Sequence, residues 1–327
     1  MALSTPLTEL LDIEHPVLLA PMGMVSGGRL AAAVTGAGGL GLIGAGYGKA
    51  DWLAAEFEEA GNARIGVGFI TWSLDPQPEL LDRCLAHSPA AVMFSFGDPA
   101  PYIPKVKDAG SKVICQVQTL RDAKAAAEAG ADVIVAQGTE AGGHGASRAT
   151  LPLVPAVVDA VAPLPVVAAG GIADGRGVAA AFALGAAGVL LGSYFCVAEE
   201  SLVHPRLKQA VLEGSGDDVV RTTVFDTVRG YTWPKPYTGG ALANDFLRRW
   251  HGREGELERN LDSEKARYAK AAGEGDPDTH VLFISQSADL LRESKPAAAM
   301  LEKLVQQTES ELARLADLAQ GAASPRP

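Results

Sequence analysis

With 327 residues, 47% of them hydrophobic and 20% charged, the chain has ample material for one large core. Its 28 Lys and Arg against 39 Asp and Glu leave a net charge of −11, which argues against nucleic acid or an anionic membrane as a main partner. The three cysteines, Cys84, Cys115 and Cys196, are too scattered for a disulfide framework or a structural zinc site and fit a reducing compartment.

The opening segment MALSTPLTELLDIEHP carries acidic residues and no long apolar run, so it does not read as a secretory signal. No stretch reaches the ~18 apolar residues of a membrane span. A cytoplasmic location is the expectation.

Short runs of strand character then follow at 16–20, 39–44, 65–70, 91–97, 112–117, 132–138, 165–171 and 188–195. Between them lie alanine-rich amphipathic stretches such as RDAKAAAEAGA (121–131) and GRGVAAAFALGA (175–186), several closed by a glycine. Strands alternating with helices predict a parallel sheet covered on its faces, and eight strands are what closes a barrel. The predicted fold class is therefore α/β, a (β/α)₈ TIM barrel; a doubly wound open sheet is the competing architecture. The barrel core is expected over 1–212. Residues 213–285, rich in Gly, Pro, Trp and charge, read as a capping insertion on the substrate side. Residues 286–327 read as a helix, to about Leu318, packed on the barrel and followed by a disordered tail, GAASPRP.

Barrel chemistry sits at the C-terminal strand ends, so the residues after each run carry the functional signal. APMGMVSGG (20–28) follows the first strand, and its glycines leave backbone open to a flat ring. GAGGLG (36–41) and GLGLIG (39–44) both satisfy G-x-G-x-x-G, but a helix precedes them and a strand follows. That order is the reverse of a dinucleotide site and describes a tight helix-to-strand turn. VVAAGGIADGRG (166–177) and VLLGSYF (189–195) place glycine-rich turns after the seventh and eighth strands, where barrels often hold a phosphate. There Gly170, Gly171, Gly192 and Ser193 offer N–H groups, and Ser193 a hydroxyl. AQGTEAGGHGA (136–146) ends the sixth strand, with Gln137, Glu140 and His144 as its polar groups. Of six histidines only His144 stands at a predicted catalytic edge, and an ordinary pKa near ~6.5 suits proton transfer there. No metal or nucleophile motif is present, so the pocket asks for a cofactor with its own reactivity.

Taken together, APMGMVSGG, GGLGLIG, IGVGFI, AQGTEAGGH, VVAAGGIADGRG and VLLGSYF resemble the nitronate monooxygenase (2-nitropropane dioxygenase-like) family over roughly 14–200. The resemblance implies an FMN-binding barrel. In it Pro21, Met22 and Gly23 line the isoalloxazine ring, Gln116, Gln137 and Gly142 contact FMN, and Ala169, Gly170, Gly171, Gly192 and Ser193 surround its phosphate. His144 matches the family's active-site histidine. The sequence departs from the family at Gly68, where relatives carry Asn, at Gln116, where some carry Lys, and in GGALAN (239–244) and FISQSADLL (283–291). The implied activity is oxidation of anionic alkyl nitronates, of the propionate 3-nitronate type, with O₂ to a carbonyl compound and nitrite. An NADH-dependent FMN reductase of enoyl thioesters or quinones shares these motifs, and a non-catalytic FMN- or phosphate-binding protein is the reading from another class. A homodimer is compatible with the sequence.

Overall fold

Strand character in each of the eight runs comes from buried aliphatic residues whose neighbours point to opposite faces. The computed structural model describes residues 3–321. Its strands are β1 (Val17–Leu19), β2 (Leu42–Gly44), β3 (Gly66–Ile70), β4 (Ala91–Ser95), β5 (Lys112–Val117), β6 (Val133–Gln137), β7 (His144–Gly145), β8 (Val166–Ala169), β9 (Gly188–Leu191), β10 (Val219–Thr222) and β11 (Thr238–Leu242). Eight of them form one parallel sheet in the order β1-β9-β8-β6-β5-β4-β3-β2. A parallel bridge between Leu18 and Leu40 joins its two ends, with Leu19 N–H donating to Leu40 O at 2.9 Å. The sheet is thus a (β/α)₈ barrel and not an open, doubly wound one.

Alternation along each strand separates two apolar layers. Leu18, Leu42, Met93, Ile114, Val135, Val167 and Leu190 fill the barrel interior. Val17, Ile43, Val67, Phe94, Val113, Ile134 and Val189 face the helices. The bottom of the barrel is stoppered by the helix Pro6–Leu11, capped by Thr5, whose Leu7 and Leu11 are fully buried in the interior layer. Gly188 opens β9 without a side chain because a Cβ there would stand 2.4 Å from Leu7 Cδ2.

The double G-x-G-x-x-G is the helix-to-strand turn expected of it, lying between the helix Gly28–Gly36 and β2. Three predicted boundaries move furthest. The second strand begins at Leu42 and not at 39, since a Cβ at Gly41 would lie 1.9 Å from Ala31 O and the chain there is still passing the helix. The last barrel strand stops at Leu191, and Ser193–Cys196 is a helical turn that buries Phe195. The C-terminal helix starts at Ala297 and runs to Ala319, because Pro296 lacks an N–H and sets the N-cap. Its buried face of Met300, Leu301, Leu304, Val305 and Thr308 packs on the helices Gly175–Ala183 and Gly28–Gly36. Of the tail expected to be disordered, 322–327 lie outside the described residues.

Residues 213–285 supply two strands of a small antiparallel sheet, β10-β11-β7, with helices that include Val224–Arg229, Asp245–Trp250 and Leu261–Glu274. Val224, Phe225, Phe246, Leu247, Trp250, Leu257 and Tyr268 form its core. One of the three strands, β7, comes from the loop after β6, so this cap is tied to the barrel through the segment that carries His144. Among the described residues no helix is long and apolar enough to cross a membrane.

All three cysteines are free and buried, and desolvation pushes each thiol up to about 12. Because the thiolate is the reactive form, the folded protein should resist a thiol reagent at about pH 8, and the denatured, unreduced chain should titrate three thiols. A count of one would reveal a disulfide and remove the argument for a reducing compartment.

Candidate active site

The loops after β1 and β2 meet main chain to main chain. A Cβ at Gly23 would lie 2.9 Å from Gly46 Cα, and one at Gly44 would lie 2.4 Å from the Met22 carbonyl carbon. Met22 N–H donates to the buried Ser26 Oγ at 2.7 Å, which fixes the turn that carries Pro21, Met22 and Gly23. Gly68 is explained here. A Cβ at that position would stand 2.2 Å from Pro21 Cγ, so the missing side chain makes room for the proline ring.

At the ends of β5 and β6 three amides converge. Gln116 and Gln118 both donate Nε2–H to Gln137 Oε1, at 3.2 and 2.8 Å. Both acceptor sites of Gln137 are thereby used, leaving its NH₂ and the Gln116 carbonyl for a ligand with mixed donors and acceptors. Gln118, one residue beyond β5, was not among the sequence candidates.

After β8 the chain turns through Gly170 and Gly171 at φ +100° and +75°, a region that side chains rarely adopt. A Cβ at Gly170 would approach Gly138 O to 2.9 Å, and one at Gly171 would approach Glu140 Cβ to 3.1 Å. After β9, Gly192 lies under Met22, whose Sδ would be 3.3 Å from an added Cβ. Ser193 Oγ accepts the Ser285 N–H at 2.9 Å, so its own proton can still be donated. Two glycine turns with close-set amides and a free hydroxyl proton fit a phosphate ester. Glu140 is spoken for: its carboxylate accepts Thr150 N–H at 3.0 Å and Thr150 Oγ1–H at 2.8 Å, holding the start of the helix Thr150–Val161. Gly142 is pressed against the cap, where a Cβ would lie 2.4 Å from the Ile284 carbonyl carbon.

His144 departs from its sequence picture in two respects. It is on strand β7, paired with Gly239 of β11, and not on a free loop. Its pKa is held below the usual 6.5, first by burial and then by the Arg229 and Arg221 charges, with Asp226 opposing them. Nε2 lies 2.9 Å from Asp226 Oδ2, and the two side chains are only 7% and 3% exposed. One ring face stacks on Trp233, with centroids 3.5 Å apart and planes 3° from parallel. Arg221 secures the loop beneath by donating to the carbonyls of Thr139 at 2.9 Å, Ala141 at 3.2 Å and Gly145 at 3.1 Å, and it also contacts Thr238 O.

Trp233 is the hub of an aromatic mouth. Its Nε1–H donates to Tyr47 Oη at 3.0 Å, and its ring meets Trp72 and Phe96 edge-on at 5.4 and 5.0 Å. Tyr47 and Phe96 come from the loops after β2 and β4, and Trp72 from the short helix Thr71–Leu74 that follows β3. Asp226, Arg221 and this aromatic set were missed from sequence; the Trp just before the prolines in YTWPKPY was the available hint.

A cavity of about 590 Å³ lies outside the two glycine turns, between Asp174, Tyr194, Arg292 and the C-terminal helix. Of its charged groups, Arg176 pairs with Asp174 at 2.8 Å and Lys303 with Glu293 at 2.9 Å. Among the described residues no group of three or more His, Cys, Asp or Glu is placed to hold a metal ion.

The nitronate monooxygenase family profile matches residues 4–65 and 75–307. The chain is 38% identical over 231 residues to a Mycobacterium tuberculosis (3aS,4S,5R,7aS)-5-hydroxy-7a-methyl-1-oxo-octahydro-1H-indene-4-carboxyl-CoA dehydrogenase, a match spanning 69% of this chain and 65% of the dehydrogenase. That is less than two thirds of the dehydrogenase's length. It is 34% identical over 322 residues to a nitronate monooxygenase of Metarhizium robertsii, covering 88% of this chain and 89% of the relative. Among solved structures, FabK from Thermotoga maritima superposes with a TM-score of 0.85 at 35% identity, over 97% of this chain and 99% of FabK.

Proposed function

The chain belongs to the nitronate monooxygenase family, and from that premise we propose that it is an FMN-dependent oxidoreductase converting alkyl nitronates, of the propionate 3-nitronate type, with O₂ to a carbonyl compound and nitrite. The observation that carries the reading is His144: a buried imidazole held by Asp226 and Trp233 on the same barrel face as the two phosphate-type turns. FMN, when bound, supplies an electron acceptor that O₂ can regenerate. Gly170, Gly171, Gly192 and Ser193 would hold its phosphate, the amides of Gln116 and Gln137 its polar ring edge, and Pro21, Met22 and Gly23 its ring face. His144, uncharged at neutral pH, would take a proton from a neutral nitroalkane and so admit it to the same reaction. The aromatic mouth excludes water and gives the substrate an apolar wall.

That mouth also favours a second reading, a reductase of flat or extended acceptors such as quinones or enoyl thioesters, with NADH as donor. The CoA thioester in the name of the dehydrogenase relative points the same way. One anaerobic titration separates the two. Propionate 3-nitronate should bleach the yellow protein, and NADH and NADPH should not. Bleaching by NADH alone would replace the first reading with the second.

A further inference from the structure

We propose that Asp226 is a positioning residue whose carboxylate holds His144 in the tautomer protonated on Nε2, leaving Nδ1 as the bare, basic nitrogen of the site. The inference rests on the reading of His144 as the base and assigns the nitrogen that does the work and the group that selects it.

An ionised carboxylate only accepts, so at 2.9 Å the Asp226 Oδ2 contact requires the proton on Nε2. Among the described residues none hydrogen-bonds Nδ1, and it is not among the sealed, unpartnered atoms, so it remains approachable. The ring cannot turn over cheaply to exchange the two nitrogens. Trp233 covers one face, Phe283 stands edge-on at 5.4 Å, and pairing of β7 with β11 fixes the main chain. Asp226 itself is costly to keep: it is 3% exposed, and Oδ1 has no hydrogen-bond partner. A buried acceptor left unmade costs ~1–3 kcal/mol, which packing alone does not recover. The carboxylate sits on the helix Val224–Arg229, and Arg229 and Arg221 are the other charges acting on the ring; both oppose its protonation. Tyr47, nearby, keeps its proton, its phenol pushed up to about 12 by burial. Asp226 is therefore the group that stabilises a proton arriving at His144.

In the step itself the substrate's α C–H bond breaks and Nδ1–H forms. The electron pair stays on the substrate, as the nitronate, and the imidazolium pairs with Asp226.

Two measurements test this. In flavin-loaded protein labelled with ¹⁵N-histidine, with His144→Gln used to assign the signal, the ring should show a protonated Nε2 and a bare Nδ1. A proton on Nδ1 instead would overturn the proposal without any turnover being measured. In Asp226→Asn, flavin occupancy should be kept while kcat for a neutral nitroalkane falls by ~10²-fold, the low end for a positioned base. The acid limb of its pH profile should move to lower pH, because the group that raised the His144 pKa is gone. The loss with preformed nitronate should be smaller than that with the nitroalkane, and Asp226→Glu should recover part of the nitroalkane loss. If His144→Ala cripples nitroalkane turnover while Asp226→Asn leaves both rate and acid limb unchanged, the base stands and the role of Asp226 falls. If His144→Ala itself has no effect, the underlying reading has failed. Should Asp226→Asn not fold, the wild-type ring signals and Asp226→Glu still decide.

Discussion

Gly171→Val should be purified almost colourless, as folded apoprotein whose affinity for added FMN is at least ~10-fold weaker, the equivalent of the ~1–2 kcal/mol that a side chain pays in this backbone region. Gly171 sits at φ +75°, where a β-branched residue is a strong outlier. An added Cβ would also stand 3.1 Å from Glu140 Cβ, and Glu140 cannot retreat because Thr150 holds its carboxylate through two bonds. Relief must therefore come from the turn itself, which rotates the Gly171 N–H away from the phosphate. Gly143→Val is the control, since nothing lies within 4 Å of a Cβ there and its φ is not left-handed; it should stay yellow. The flavin released from wild type on denaturation should be FMN and not FAD. Full flavin occupancy and unchanged affinity in Gly171→Val would mean the phosphate is held elsewhere.

Why that turn was legible in the sequence, and Asp226 was not, has a physical cause. A barrel strand declares itself locally: β-branched and aliphatic residues alternate between two buried layers, and a glycine turn marks each C-terminal end. Eight strands and the paired turns at 170–171 and 192–193 follow from that. Strand ends blur where an apolar run continues into a helix, as in Tyr194–Phe195, which are buried on a helical turn although the run reads as strand. The helix Pro6–Leu11 gives no hint of its place, since only the closed barrel creates the hole that Leu7 and Leu11 fill. The partner of His144 is 82 residues away in a cap with no repeating pattern. A single Asp in VFDTVR looks like any helix-start acid until β7 and β11 pair and carry the imidazole to it. Gln118 is hidden for a smaller reason: it lies just past the strand, where the alternation of inward and outward positions has ended.

His144→Ala should keep its flavin, because the phosphate turns lie after other strands and Trp233 retains Tyr47, Trp72 and Phe96 as partners. What it should lose is turnover of a neutral nitroalkane, by ~10²–10⁴-fold, the range for removing a positioned acid or base. The sign of the pH effect follows from the buried ring. Its pKa lies below the usual 6.5, so the base form is already complete at neutral pH and wild-type activity should fall only as pH drops through that lowered value. The alanine variant should lack this limb. Preformed nitronate needs no proton removed, and an uncharged His144 with a bare Nδ1 has no hydrogen to offer its oxygens. The loss with nitronate should therefore be far smaller at neutral pH. Below the His144 pKa the imidazolium can donate to the anion, so the two substrates should respond to acid in opposite directions. Measuring both at the same oxygen concentration across that range reads the difference directly. Equal, small losses for the two substrate forms would take His144 out of the chemistry, and the reductase reading would then have the stronger claim on this barrel.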